Sequence, residues 1–342
     1  MSMFNSNLHR SIAVQSRALI NCCLAEYYYA RKDSDLKNMP RIFAIELTNY
    51  CNLSCAACPR AHMKRDVGFM DFGLFKTIID QVKGHVGFIW LHNFGEPLFH
   101  PRIGEFIAYC ARNNIRTGIS TNATILDEKK AAMILNSGLD HIVIAIDGAT
   151  KETYQKFRGG GDFEKVCNNA ENFFVLKRRL KKTKPFTEVQ LVRMDETETE
   201  AGAFKEKWSA LADNVFIKDF CAWGDQVRSI TGLIEKKPKY YAYRARRRPC
   251  MALWRDGVVL WNGDLVLCCM DYDGKMVLGN LRDERLEDIW NSKRISGLRR
   301  EQIEENYDNP LCRDCSEWSG RQMDINFFRL KLFPYFKRLL RK

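Results

Sequence analysis

From Ile42 onward, short apolar runs alternate with amphipathic stretches. The runs Ile42–Leu47, Val86–Leu91, Arg116–Ser120, His141–Ile146, Thr187–Met194 and Asn214–Phe220 predict strands. The 3.6-residue apolar period predicts helices near 72–82, 102–113, 127–137, 162–180 and 200–212. Short apolar runs separated by helices predict parallel βαβ units with both sheet faces covered. Six such units predict an α/β fold, a partial (β/α)6 TIM-like barrel that is an open relative of the eightfold one. In such folds chemistry gathers where strands end and loops begin.

The flanks follow other patterns. Residues 1–40 predict a helical appendage, helical from about Leu8 to Arg31. Its adjacent Cys22 and Cys23 point in different directions on a helix and read as packing residues. Residues 41–220 make the barrel, and 221–249, poorly periodic and rich in Arg and Lys, a bridge. A smaller domain follows at 250–320, with a hairpin strand at Gly263–Cys268 and a helix at Leu286–Trp290. Residues 321–342 predict a basic amphipathic C-terminal helix. Phe328, Leu332, Phe336 and Leu339 share one face, and Phe327–Lys342 holds six cations and no acid. Such a helix suits the surface of an anionic membrane or a dock on the protein's own core. Pro334 kinks it or opens its second part. The run Lys177–Lys184 reads as a solvated helix end.

Composition narrows the class. At 342 residues and 46% hydrophobic content, the chain can bury a sizeable core. A net charge of +12 favours an anionic partner. Thirteen cysteines in a chain this long do not read as a secreted disulfide framework. Their spacings are those of metal ligands, which places the protein in a reducing cytoplasm, with the C-terminal helix as the one candidate for peripheral membrane contact. The N-terminal apolar patch Ala18–Leu24 is soon interrupted by Glu26 and does not read as a signal peptide. No run approaches the ~20 apolar residues of a membrane span.

The candidate chemistry starts at Cys51-Asn52-Leu53-Ser54-Cys55-Ala56-Ala57-Cys58, directly after the first predicted strand. Three thiols at this spacing can converge on one soft metal centre. Lacking a fourth cysteine nearby, they suit a four-iron cluster with one open iron better than structural zinc. The pattern resembles the radical S-adenosylmethionine (radical SAM) superfamily, with Ala57 where a larger apolar or aromatic residue is common. The resemblance implies that Cys51, Cys55 and Cys58 ligate a [4Fe–4S] cluster. It implies that the fourth iron takes the amino and carboxylate groups of SAM, and that a flavodoxin- or ferredoxin-type donor supplies electrons.

Other strand ends carry further likenesses. His92-Asn93-Phe94-Gly95-Glu96-Pro97 resembles the family's GGEP motif, with Phe94 for the first glycine, and implies Gly95 and Glu96 as contacts to the SAM ammonium. Ser120-Thr121-Asn122 resembles its STNG segment, with Ala123 for glycine, and implies Ser120 and Asn122 at the ribose or carboxylate of SAM. Ile146-Asp147-Gly148, followed by Tyr154 and Arg158, resembles a stretch of SPASM-type members, with Ala145 where serine is common. Asp147 is then expected at the barrel mouth, or as the cap of the next helix, and Arg158 as partner of the SAM carboxylate or an anionic substrate.

A second cysteine set lies at Cys250, Cys268, Cys312 and Cys315. Four separated thiolates suit a closed site, zinc or a four-iron cluster. The spacing resembles the SPASM auxiliary-cluster domain. Ser316–Lys342 contains no cysteine, so the likeness is to its shortened twitch form with one auxiliary cluster. Cys268, rather than its neighbour Cys269, fits the register after Gly263. Cys110, Cys167 and Cys221 remain as packing thiols, one of which could serve as a hydrogen-atom donor.

The arrangement resembles the radical dehydrogenase type that oxidises 2-deoxy-scyllo-inosamine. It implies hydrogen-atom abstraction from a small carbohydrate, cyclitol or nucleotide-sugar, with alcohol oxidation and an auxiliary cluster as electron acceptor. The alternatives are redox-neutral epimerisation or decarboxylation of a sugar or nucleoside, and peptide modification. For the last, residues 1–40 are too short and helical to form a peptide-binding sheet edge. A zinc-binding nucleic-acid adaptor is set aside because no aromatic–basic stacking surface is evident. Arg244, Arg246, Arg247 and Arg248, with the cationic tail, point to an anionic or lipid-linked small-molecule substrate.

Overall fold

The structure is a computed structural model, and it describes residues 2–233 and 247–318. Helix α1 (Ser2–Arg31) leads to strand β1 (Arg41–Ile45). Then come β2 (Ser54–Cys55), α2 (Phe72–Val82), β3 (Phe88–Trp90), α3 (Ile103–Arg112), β4 (Arg116–Thr121), α4 (Glu128–Ser137) and β5 (His141–Ala145). They are followed by α5 (Lys151–Phe157), β6 (Arg158–Gly159), α6 (Phe163–Arg179), β7 (Phe186–Arg193), α7 (Asp195–Ser209) and β8 (Asn214–Asp219). The chain continues with α8 (Arg228–Thr231), α9 (Ala252–Arg255), β9 (Asp256–Val259), β10 (Asp264–Val266), β11 (Val277–Asn280), α10 (Leu286–Trp290) and α11 (Lys293–Ile303). The C-terminal helix expected at 321–342, and residues 234–246 of the arginine-rich bridge, lie outside the described residues.

The helices begin where side chains can satisfy free amide N–H groups. Asp71, Asp127 and Asp162 accept from the N3 amides of α2, α4 and α6, and Thr150 caps α5. Asp147 therefore does not cap the helix that follows it. Gly138 ends α4 in the left-handed conformation that glycine adopts without strain.

One nine-stranded sheet runs β11-β10-β9-β1-β3-β4-β5-β7-β8. The six barrel strands β1, β3, β4, β5, β7 and β8 pair in parallel, as the alternation of patterns predicts. The C-terminal strands are continuous with them. Strand β9 pairs in parallel with β1, Arg41 opposite Asp256 and Ile45 opposite Val259, and β10 and β11 extend the sheet as an antiparallel hairpin. Arg41 Nη2 meets Asp256 Oδ1 at 2.7 Å across that junction. The second cysteine region is thus built onto the edge of the barrel sheet.

Period-two alternation separates the two faces. Ile42, Ile45, Ile89, Leu91, Ile119, Ile142, Ile144, Val189 and Leu191 are buried in the main core under the helices. The intervening Trp90, His92, Ser120, Gln190 and Lys218 fall on the other face, toward the lumen, where all five are only half-buried. An aromatic group made of Phe94, Phe157, Phe220 and Tyr272, with Met194 and Val227, gathers at the C-terminal strand ends.

Candidate functional site

The first cysteine loop leaves β1 and is fixed from three sides. Thr48 Oγ1 donates to the Gly68 carbonyl (2.7 Å), Asn49 Nδ2 to that of Asp66 (2.8 Å), and Arg60 Nη2 to that of Leu53 (3.0 Å). Strand β2, which contains Cys55, pairs antiparallel with β6, which begins at Arg158. Donors already face two of the sulfurs. The Leu53 amide and Asn122 Nδ2 approach Cys51 Sγ at 3.4 and 3.6 Å, and Arg158 Nη1 approaches Cys55 Sγ at 3.6 Å. The three thiols lie close enough to act on one another electrostatically. Burial raises the Cys51 thiol and pushes Cys58 up to about 11. Free thiolates are disfavoured in such a place, and a bound metal would compensate them.

Among the described residues no three His, Cys, Asp or Glu side chains converge as a single-ion site. The donor set, the buried setting and the hydrogen bonds aimed at sulfur all fit a thiolate-held [4Fe–4S] cluster.

Gly95 and Glu96 follow β3. Gly95 sits at φ +84°, and a Cβ there would stand 2.4 Å from the Thr48 carbonyl oxygen, so only glycine lets the two loops touch. Glu96 is buried, and its carboxylate takes three donors. Thr121 Oγ1 (2.8 Å) and the Leu98 amide (3.0 Å) meet Oε1, and the Asn122 amide meets Oε2 at 2.7 Å. Burial nevertheless pushes its carboxyl up to about 7. Its carboxylate ties the β3 exit to the β4 exit rather than standing free for a ligand ammonium. The Asn122 side chain is committed in the same way, bonded to Cys51, Asn52 and Thr124. Ser120 gives its amide to His92 Nδ1 at 3.1 Å.

Asp147 and Arg158 pair with each other. Arg158 Nη2 stands 2.7 Å from Asp147 Oδ2, and Asp147 Oδ1 accepts from the Val192 amide at 2.8 Å. Burial pulls the guanidinium down, but Asp147 and then Cys55 outweigh it and raise its pKa. Arg158 thus links β5, β7 and the first cysteine loop. Its Nε is buried with no hydrogen-bond partner among the described residues, as is the Tyr154 hydroxyl.

Of the second set, Cys250, Cys312 and Cys315 are drawn together and act on one another. Burial, and next Cys250, pushes Cys312 to about 11 and Cys315 to about 12. The Cys250 amide donates to Gln302 Oε1 at 2.9 Å. Arg247, read from sequence as a contact for an anionic substrate, instead holds the Cys-x-x-Cys turn. Its Nη1 and Nη2 donate to the Arg313 and Cys312 carbonyls at 3.0 and 2.6 Å, and its guanidinium lies 4.1 Å from the Tyr307 ring centre. Arg248 is exposed, and Arg244 and Arg246 lie outside the described residues. Cys268 follows β10 and accepts from the Asp271 amide through its carbonyl. Cys269 packs against the apolar group of Ala44, Val258, Leu260 and Val266, beyond the end of β10. Cys110 and Cys167 belong to the helix-side core. Cys221, just past β8, is half-buried against Met270 with its sulfur 3.8 Å from the thioether.

Several residues here carry no motif. Trp223 donates from the bridge to the Ala57 carbonyl, and Arg65 makes two hydrogen bonds to buried Glu46. His92 and Lys218 face the lumen. Only the spacing Phe88, Trp90, His92 signals the last group, by placing His92 on the inner face of β3.

Comparison with known proteins agrees with this geometry. Residues 45–180 match the model of the Radical SAM superfamily, and residues 250–316 that of SPASM, an iron–sulfur cluster-binding domain. The chain is 24% identical over 313 residues to the tungsten-containing aldehyde ferredoxin oxidoreductase cofactor-modifying protein of Pyrococcus furiosus, covering 80% of this chain and 86% of that one. It is 25% identical over 291 residues to the S-adenosyl-L-methionine-dependent 2-deoxy-scyllo-inosamine dehydrogenase of Niallia circulans, covering 82% and 96%. In fold it resembles SuiB of Streptococcus suis bound to the precursor peptide SuiA, with a TM-score of 0.62 and 16% identity over 87% of this chain and 74% of that one.

Proposed function

Because residues 45–180 belong to the radical SAM superfamily and residues 250–316 to the SPASM cluster-binding family, we propose that this enzyme oxidises an alcohol of a small carbohydrate, cyclitol or nucleotide-sugar. Its cofactors are a [4Fe–4S] cluster with SAM and, in the SPASM region, auxiliary iron–sulfur chemistry. When bound, the first cluster and SAM supply a 5′-deoxyadenosyl radical that takes a hydrogen atom from substrate.

The chain's own residues do the rest. Cys51, Cys55 and Cys58 would hold the first cluster. Leu53, Asn122 and Arg158 tune its sulfurs through hydrogen bonds. Glu96 and Gly95 fix the loops around the ligand space, and the aromatic group at the strand ends keeps water out. Oxidising an alcohol to a ketone removes one hydrogen atom, one proton and one electron. The proton would leave to solvent, and Cys250, Cys268, Cys312 and Cys315 would hold the centre able to accept the electron.

The observation that carries this reading is the sheet junction. The second cysteine region hangs on β9, which pairs with β1, the strand that leads into the first cysteine loop. A second redox centre is then rigidly tied to the first, as oxidation requires and a redox-neutral reaction does not. The test is to incubate the reconstituted enzyme with SAM, reductant and carbinol-deuterated sugars or cyclitols. Deuterium in 5′-deoxyadenosine together with a ketone product supports it. Deuterium transfer without a ketone would sink the oxidative reading.

Redox-neutral epimerisation remains as a second reading because of Cys221. It lies at the end of β8, within range of the Lys218 charge, while Cys167 is in the helix-side core. Solvent deuterium in recovered product, lost in Cys221→Ala, would favour it. The lipid-linked substrate rests on the basic tail alone. Deleting Phe327–Lys342 should abolish sedimentation with anionic liposomes if the tail is a membrane contact.

A further inference from the structure

The lumen face of the barrel carries two donors, His92 and Lys218, that stand outside the residues assigned above to the cluster and SAM. His92 stands at the C-terminal end of β3, on the inner face, with its ring edge-on to Trp90 at 5.2 Å. Its Nδ1 faces the Ser120 amide at 3.1 Å. An amide N–H can only donate, so Nδ1 must be the acceptor and the neutral ring must carry its proton on Nε2. That N–H has no partner among the described residues.

Lys218 lies across the lumen. On β8 it is paired with Val192, one residue from Ile217, which packs on the helix-side core, so alternation turns Lys218 inward. It is half-buried and has no ion-pair partner among the described residues. Its charge reaches His92, and burial together with that charge holds the imidazole well below its ordinary pKa. Of the carboxylates around the lumen, Glu317 acts with Lys218 on Cys221 but makes no ion pair with it, and others are committed elsewhere. Glu46 is bound by Arg65, Asp147 by Arg158, and Asp219 by Arg193. Glu188 lies a full four residues back along the ladder beside Asn214, about 13 Å away at the rise of a strand.

A fixed neutral N–H donor opposite an uncompensated ammonium, in a half-open lumen, is a receptor for an oxyanion. We propose that His92 Nε2–H and Lys218 Nζ bind a carboxylate or phosphate group of the substrate inside the barrel. This rests on the small-molecule reading above and narrows it to an acidic or phosphorylated sugar or cyclitol. Both residues are binding groups, with Ser120 fixing the tautomer of the first.

The test titrates the reconstituted, SAM-loaded enzyme with inorganic phosphate and, separately, with acetate, by calorimetry. Phosphate binding alone points to a phosphorylated substrate, and acetate binding alone to a carboxylate. Either result supports the site if affinity falls about tenfold or more in Lys218→Met and His92→Phe and is largely kept in Lys218→Arg. Iron content and far-UV circular dichroism establish that each variant folds. No binding of either anion, or binding unchanged in Lys218→Met, overturns the proposal. A wild-type readout guards against misfolded variants. Long-range 15N correlation spectra should show the imidazole absent from His92→Gln as a neutral Nε2–H tautomer at about pH 5.5, and its signals should move with the anion. A protonated ring or an Nδ1–H tautomer there overturns it. Wild-type enzyme that releases no 5′-deoxyadenosine from SAM under reductant would fail the radical reading instead, independently of the anion titration.

Discussion

Trp223 donates its indole N–H to the Ala57 carbonyl at 2.8 Å, one residue before Cys58. It does so from φ +53°, followed by Gly224 at +72°. A left-handed tryptophan costs on the order of 1–2 kcal/mol, so surrounding contacts must hold it there. Its ring lies 5.2 Å from Phe94, beside Gly95. The bridge thereby braces the cysteine loop against the β3 exit. Trp223→Phe keeps the ring and removes the hydrogen bond, worth about 1 kcal/mol. Iron release to a chelator from the reconstituted variant should be several-fold faster than from wild type. An unchanged release rate would mean the contact does not restrain the loop.

The Asp147–Arg158 pair predicts an asymmetric response to mutation. Asp147→Ala leaves a largely buried guanidinium without its carboxylate, beside the Cys55 sulfur. Removing one partner of a buried pair costs roughly 3–5 kcal/mol. Arg158→Met in the Asp147→Ala background removes the stranded charge and should recover part of that loss. Denaturant unfolding of the four proteins in the double-mutant cycle measures it. Equal and additive losses would show that the two side chains do not act as a pair.

Glu96 predicts a pH dependence. Its folded carboxyl, at about 7, lies above the ordinary value of 4.5. Folding therefore favours the protonated form. That contribution is complete below about pH 4.5 and is lost as pH rises through about 7. Glu96→Gln cannot titrate. Between about pH 4 and about pH 8, wild type should lose about 3 kcal/mol of unfolding free energy relative to Glu96→Gln. A constant gap would show that the three donors around the carboxylate outweigh its burial.

The strands and helices of the barrel were legible in the chain to within about two residues for most elements, because period-two and 3.6-residue patterns follow directly from which face is buried. Helix α7 begins five residues before the expected 200, since its first turn is acidic rather than apolar. Helix α5 was missed, as Lys151–Phe157 is too short to show a period. The continuity of β9 with β1 was also hidden, because pairing between strands more than two hundred residues apart leaves no local mark. At the site, cysteine spacing is a local property and could be read. The partners of Glu96, Asp147 and Arg247 are set by tertiary packing, so the contacts that tie these residues to neighbouring loops leave no mark in the local sequence.

The cysteine sets make a prediction about metal content that separates the two centres. Cys51, Cys55 and Cys58 stand on a loop braced by Arg60, Asn122 and Trp223. Cys250, Cys312 and Cys315 stand on segments braced by Gln302 and Arg247. Among the described residues no side chain of either brace hydrogen-bonds a residue of the other cysteine loop, although Gly224, next to Trp223, lies beside Cys315, so each set should load by itself. Anaerobically reconstituted wild type should hold about eight irons, and the Cys51→Ala, Cys55→Ala, Cys58→Ala variant about four, with no SAM cleavage. Cys312→Ala with Cys315→Ala should also hold about four and still release 5′-deoxyadenosine, because the first loop is intact. About four irons in wild type, falling to none in the first variant, would leave the second set without iron. The electron acceptor for alcohol oxidation would then be missing, and the redox-neutral reading with Cys221 as hydrogen donor would take its place.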